Sequence, residues 1–229
     1  MRGRFIEPST ASMLMRPHII VNCAMTADGK IAGISRRQVR ISSPEDMERV
    51  KALRAGSDAI LVGVGTVLAD DPHLTVKSLP PDKSPLRIVL DSQGRTPNHA
   101  KVLAGGAPTL IATAKGCIKT WQGAQVLRCG ERQVDLQCLM NELERRGIER
   151  LMVEGGWETI WSFFKSGLVD EYRVFVGSLV LGGTDAPTPC EGQGLLEENA
   201  VRLRLLSVTQ LGEGALLSYE VVRDAAQST

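Results

Sequence analysis

Asp58-Ala59-Ile60-Leu61-Val62, followed at once by Gly63-Val64-Gly65-Thr66, is the stretch on which the fold turns. An apolar run with no polar alternation is the pattern of a strand buried on both faces. The glycine-rich turn opens straight into a helical segment that stops at Asp71-Pro72, so the two together make a strand–helix unit. The same unit recurs on either side. Upstream, residues 18–23 (HIIVNC) form an apolar run between Pro17 and the turn Asp28-Gly29. Ser43-Pro44-Glu45-Asp46 then starts a helix: Ser43 caps it, Pro44 fits its first turn, and two acids face the positive end of its dipole. That helix sets Met47, Val50 and Leu53 on one face and stops near Gly56.

Downstream, residues 86–90 (LRIVL) lead into Asp91-Ser92, and short strands are expected at 109–112 and 124–127. Asp135 caps a helix that runs to Arg146 and ends at Gly147. Residues 151–153 run into Glu154-Gly155-Gly156, ahead of a helix carrying Ile160, Phe163 and Phe164. Residues 172–176, 203–208 and 215–222 read as strands with tight turns such as Gly212-Glu213-Gly214, which makes the end of the sheet antiparallel. The expectation is an α/β fold of three αβα layers around a mixed, mostly parallel sheet. One domain is expected over residues 16–229, with residues 1–15 as a loose tail.

The 229 residues suffice for one large core, and 43% hydrophobic with 23% charged residues is the balance of a soluble chain. A net charge of +1 supplies no global field for nucleic acid or anionic membrane, so any phosphate must be held by local groups. No apolar run approaches the roughly 20 residues of a membrane span. The five cysteines, Cys23, Cys117, Cys129, Cys138 and Cys190, form no C-x-x-C pair, and three histidines provide no zinc spacing. They read as small buried hydrophobes of a cytoplasmic protein without a structural metal.

Three strand ends carry ligand-binding residue types. Gly63-Val64-Gly65-Thr66 combines glycines that admit close backbone approach with a hydroxyl at a helix start; a plain tight turn explains it equally well. Glu154-Gly155-Gly156 offers backbone N–H groups to an anion and a carboxylate beside them, against a solvated acid and a simple turn as the bland alternative. Asp91-Ser92 is weak alone and gains only by being a third such end. Asp70-Asp71 by default ends a helix, while Arg54 and Lys77 by default are solvated charges. Other chemistries lack their signatures: no G-x-S-x-G, no H-x-E, and no Tyr-x-x-x-Lys, since Val176 and Arg223 stand where the lysine would be.

Taken together, several segments resemble the reductase family of riboflavin biosynthesis. They are Ala24-Met25-Thr26-Ala27-Asp28-Gly29-Lys30-Ile31-Ala32, Leu53-Arg54-Ala55, residues 58–67, and Asp70-Asp71-Pro72-His73-Leu74-Thr75. Val153-Glu154-Gly155-Gly156, Gly167-Leu168-Val169-Asp170-Glu171 and Leu181-Gly182-Gly183 continue the match, which extends from Pro17 to about Val222. The likeness is nearest to the stand-alone, archaeal-type branch, because no deaminase segment precedes it and Arg40-Ile41-Ser42-Ser43 replaces a Trp-containing stretch. The resemblance implies a dihydrofolate-reductase-like fold, a homodimer, and NADPH as cofactor with NADH sometimes accepted. It implies cofactor contacts at Ala24, Thr66, Asp70, Ser92, Gly155 and Gly156, and substrate contacts at Arg54, Lys77, Glu154 and Gln38.

The implied reaction reduces the ribosyl group of a phosphorylated ribosylaminopyrimidine to a ribityl chain. Hydride would reach C1′ of a ring-opened imine, with Asp70 or Glu154 as the catalytic carboxyl group; the residues alone do not choose between them. General-acid help of this kind is worth about 10²–10⁴-fold. Arg54 and Lys77 would hold the substrate and its phosphate. The competing readings are a folate- or pteridine-type reductase of the same fold, a non-catalytic nucleotide-binding module, and an interaction scaffold.

Overall fold

The apolar run at 18–23 forms a strand and carries on past its polar end: β1 covers His18–Thr26. The computed structural model of the chain describes residues 16–37, 39–76 and 79–223. α1 (Pro44–Ala55) begins where the Ser43 hydroxyl accepts the Asp46 N–H, and it closes at Gly56. β2 (Ala59–Gly63) passes without a break into α2 (Val64–Asp70), which Asp71 ends in the left-handed region at φ 44°. β3 (Leu86–Leu90), β4 (Thr109–Thr113) and β5 (Gln125–Arg128) follow. α3 (Leu136–Arg145) is capped by the Asp135 carboxylate, which accepts the Gln137 and Cys138 N–H groups. β6 (Arg150–Val153), α4 (Trp157–Lys165), β7 (Glu171–Gly177), β8 (Leu203–Leu211) and β9 (Gly214–Val221) complete the order.

The nine strands make one sheet in the order β5-β4-β3-β2-β6-β1-β7-β9-β8. β1 to β7 are all parallel to their neighbours, and only β9 against β7 and β8 against β9 are antiparallel. One detail differs from the expectation. β7 is a parallel strand, because α4 carries the chain over the sheet before it. The final hairpin folds back so that β9, not β8, lies against β7.

The alternation of side chains divides the core between the two faces. Ile19, Val21, Leu61 and Ile88 pack with Leu139, Leu143, Ile160 and Phe163, so α3 and α4 cover one face. Ile60, Val62 and Val89 pack with Val64 and Val67 of α2, and Ile20 and Met152 pack with Leu53 of α1, on the other. Each such fully buried aliphatic or aromatic side chain contributes about 1.5–3 kcal/mol. Met47 departs from its expected place on the inner face of α1: it is 44% exposed, while the charged Asp46 beside it is buried. The cysteines depart as well. All are free thiols, but only Cys129 is buried, and Cys190 is exposed.

β6 is the short central strand, and its length positions the site. β1 pairs with it only as far as Val21↔Val153, and β2 only as far as Leu61↔Val153. Beyond Val153 the chain turns away while β1 runs on to Thr26. A crevice therefore opens at the carboxyl edge between β1 and β2, the usual ligand position in open α/β sheets.

Candidate active site

The turn after β6 explains the glycine pair. Gly155 has φ 96° and Gly156 φ 79°, a region that side chains rarely enter. A Cβ on Gly156 would stand 3.4 Å from the Thr66 hydroxyl and 3.3 Å from that of Thr159, and one on Gly155 would stand 3.8 Å from Thr66. On the neighbouring strand end, a Cβ on Gly63 would fall 2.3 Å from the Thr159 hydroxyl. The two glycine turns and the two threonines thus meet in one place. Gly156 caps α4 with no side-chain hydrogen bond, so the first N–H groups of that helix are left to a ligand. This donor set, lined by glycine and threonine hydroxyls, fits a diphosphate.

Glu154 stands at the same strand end, and neither it nor Arg54 is the solvated charge that its default reading would make it. Arg54 Nε donates to Glu154 Oε1 at 2.6 Å and Nη2 donates to Oε2 at 2.5 Å, a two-pronged pair. The Glu154 side chain is 9% exposed and that of Arg54 27%. Burial works to lower the Arg54 pKa, but the charge and hydrogen bonds of Glu154 outweigh it and raise the pKa above the ordinary arginine value. The result is a carboxylate held in one orientation at the floor of the crevice.

Asp70 ends α2 and is exposed. The water its neighbours displace raises its pKa above the ordinary carboxylate range. Ala24 is half-buried on the part of β1 that β6 does not reach, paired in register with Phe175 of β7. Ser92 follows β3 on the same edge, one strand beyond β2, and its hydroxyl accepts the Val134 N–H at 3.0 Å. Asp91 is consumed by its own loop: fully buried, it accepts the Arg95 N–H, the Thr96 N–H and the Thr96 hydroxyl. Gln38 and Lys77, both expected at the substrate, lie outside the described residues. Among the described residues no His, Cys, Asp and Glu cluster is arranged to hold a metal, and no helix is long and apolar enough to cross a membrane.

Residue-by-residue reading missed the role of Asp28. It accepts the Thr26 hydroxyl and the Leu181 and Gly182 N–H groups, which lowers its pKa to about 2, the Thr26 contact counting most. Asp28-Gly29 and Leu181-Gly182-Gly183, two separate motifs in the chain, are thereby one joint between the loops after β1 and β7. Their shared place in a single family pattern was the only hint.

Fold and site define an open-sheet α/β protein of the dihydrofolate-reductase-like class, with its ligand crevice at the parallel strand ends. Residues 17–217 match the RibD C-terminal domain family, and the chain belongs to that family. It is 43% identical over 214 residues to a protein of Archaeoglobus fulgidus named 2,5-diamino-6-ribosylamino-4(3H)-pyrimidinone 5′-phosphate reductase, covering 87% of this chain and 96% of that one. It is 44% identical over 215 residues to the protein of the same name in Methanothermobacter thermautotrophicus, covering 90% and 99%. Among solved structures, Acinetobacter baumannii RibD superposes with a TM-score of 0.78 at 25% identity over 91% of this chain, which spans only 59% of that longer protein. The Saccharomyces cerevisiae riboflavin biosynthesis reductase Rib7 superposes with a TM-score of 0.72 over 93% of both chains; at 23% identity it speaks for the fold alone.

Proposed function

We propose that this chain reduces the ribosyl group of 2,5-diamino-6-ribosylamino-4(3H)-pyrimidinone 5′-phosphate to the ribityl group, with NADPH as reductant, in riboflavin biosynthesis. Its two near-full-length relatives carry the name of that reductase. The observation that carries the reading is a shared crevice: the carboxylate pinned by Arg54 adjoins an uncapped helix start lined by Thr66, Gly155 and Gly156. Thr66, Ser92, Gly155 and Gly156 hold the dinucleotide, with Ala24 and Asp70 at its nicotinamide end. The reduced nicotinamide supplies a hydride to C1′ of the ring-opened imine. Glu154, oriented by the two hydrogen bonds from Arg54, faces the positive charge of the protonated imine. Asp70, whose pKa is raised by partial desolvation, is the candidate proton donor. Arg54 and Lys77 take the phosphorylated end of the substrate, and Gln38 is assigned to substrate binding from the family pattern alone. Rigid strand ends do the remaining work, holding donor and acceptor carbons about 3–3.5 Å apart.

The preference for NADPH over NADH rests on the β3 end. Asp91 is not free to hold a ribose diol, and the exposed Arg95 stands three residues from Ser92, where a 2′-phosphate needs a cation. The reading includes a homodimer, which is supported by β8, an edge strand of nine residues with Leu203, Leu205, Leu206 and Val208 all exposed. Residues 16–229 act as a single cytoplasmic domain, and the tail expected at 1–15 lies outside the described residues.

The test is NADPH oxidation with the diamino pyrimidine, its deaminated counterpart and dihydrofolate side by side. Rapid oxidation with the diamino compound and none with dihydrofolate is expected. Tight NADPH binding without turnover of either pyrimidine would instead make the chain a nucleotide-binding module.

A further inference from the structure

The largest fully buried side chain of the molecule is a charged one. Arg87, at the second position of β3, is 1% exposed and has no carboxylate partner among the described residues. Its guanidinium is spent on backbone: Nη2 donates to the carbonyls of Ala104 and Ala107 at 2.8 and 2.6 Å, and Nη1 donates to that of His73 at 3.3 Å, while Nε is buried without a partner. Burying a cation without a counter-charge is costly. A position kept at that cost calls for a return.

The return lies in which loops it joins. Residues 71–76 continue from α2 and in sequence lead into Lys77, the residue proposed above for the substrate phosphate, and 100–107 form the scaffold loop ahead of β4. Asp71 makes a second tie between the same two loops: its Oδ1 accepts the Lys101 N–H at 2.8 Å. At and just after the ties the chain is bent sharply, with Asp71 at φ 44° and Leu74 at φ 52°, neither of them glycine. The start of α2 needs neither tie, since Val64 and Val67 anchor it in the core. Hence the clamp acts on the loop after Asp70 and spares the glycine–threonine cradle.

We infer that Arg87 is a positioning residue of the reductase: through the His73 carbonyl, and together with Asp71, it sets the 71–76 loop in the shape that receives the phosphorylated substrate. This rests on the function proposed above. Arg87→Met is expected to raise the substrate KM at least tenfold while the NADPH Kd stays within about twofold. Arg87→Lys, which cannot span three carbonyls, should fall between. Asp71→Ala, at the exposed end of the same clamp, should raise KM about threefold, and Asp71→Asn, which still accepts the Lys101 N–H, should restore it. The double variant should fall short of the product of the single effects, as coupled sites do. If Arg87→Met does not fold, the Asp71 pair and Arg87→Lys decide. An unchanged substrate KM in folded variants, or equal losses of substrate and NADPH affinity, would overturn the clamp. Wild-type protein that oxidises no NADPH with the pyrimidine would defeat the function itself, a result distinct from either.

Discussion

Glu154→Gln should lower kcat by about 10²–10³-fold while leaving the NADPH Kd within a few-fold of wild type. The substitution keeps shape and removes charge, so the interaction with the positive charge of the protonated imine is lost together with the ion pair to Arg54. The Arg54 guanidinium, left half-buried and unpaired, also costs stability, at most about 3 kcal/mol given its partial exposure. Thermal unfolding beside single-turnover kinetics separates the two losses. Glu154→Asp sharpens the test, because it keeps the charge but draws it back by one methylene. Partial activity there with near-zero activity in Glu154→Gln is the pattern of an electrostatic role. Wild-type turnover in Glu154→Gln would remove this carboxylate from the chemistry, whatever its pairing with Arg54.

The second large effect is expected at Asp70. Its raised pKa means that the protonated form survives to a higher pH than in a free carboxylate. As a proton donor it would lose activity as pH climbs through that pKa, giving a descending limb in kcat. Asp70→Asn should cut turnover about 10²-fold or more and abolish the limb. The stability contribution has the same direction with pH. A carboxyl group with a raised folded pKa stabilises the fold fully below its unfolded pKa, about 3.9, and loses that contribution as pH rises through the folded pKa. Asp70→Asn should therefore be no less stable than wild type at neutral pH. A variant that keeps both its turnover and the wild-type pH profile would assign Asp70 to helix ending alone.

Much of this architecture was legible locally. Ser43 and Asp135 do cap their helices, and the apolar runs at 59–63, 86–90 and 151–153 are buried strands, because capping and burial are properties of a few adjacent residues. The glycine turns were legible as places needing backbone freedom. What stayed hidden were partnerships across the chain. Arg54 and Glu154 are 100 residues apart, and Asp28 and Gly182 are 154 apart; nothing in either neighbourhood signals the other. Arg87 was visible as a charge inside an apolar run, and its burial was not, since strand patterns usually put such a residue at an edge. The order of the last hairpin was equally silent: β8 and β9 both alternate well enough to lie beside β7. β9 takes that place, and the hairpin carries a register shift between Leu205 and Ser207.

The central claim is that one crevice seats a reduced nicotinamide against a sugar carbon. Turnover of the diamino pyrimidine with NADPH carrying deuterium at C4, on one face and then the other, tests it most directly. Deuterium from one face only, recovered at C1′ of the ribityl product, is the predicted result. Product without deuterium at C1′, or no product despite bound cofactor, would contradict it.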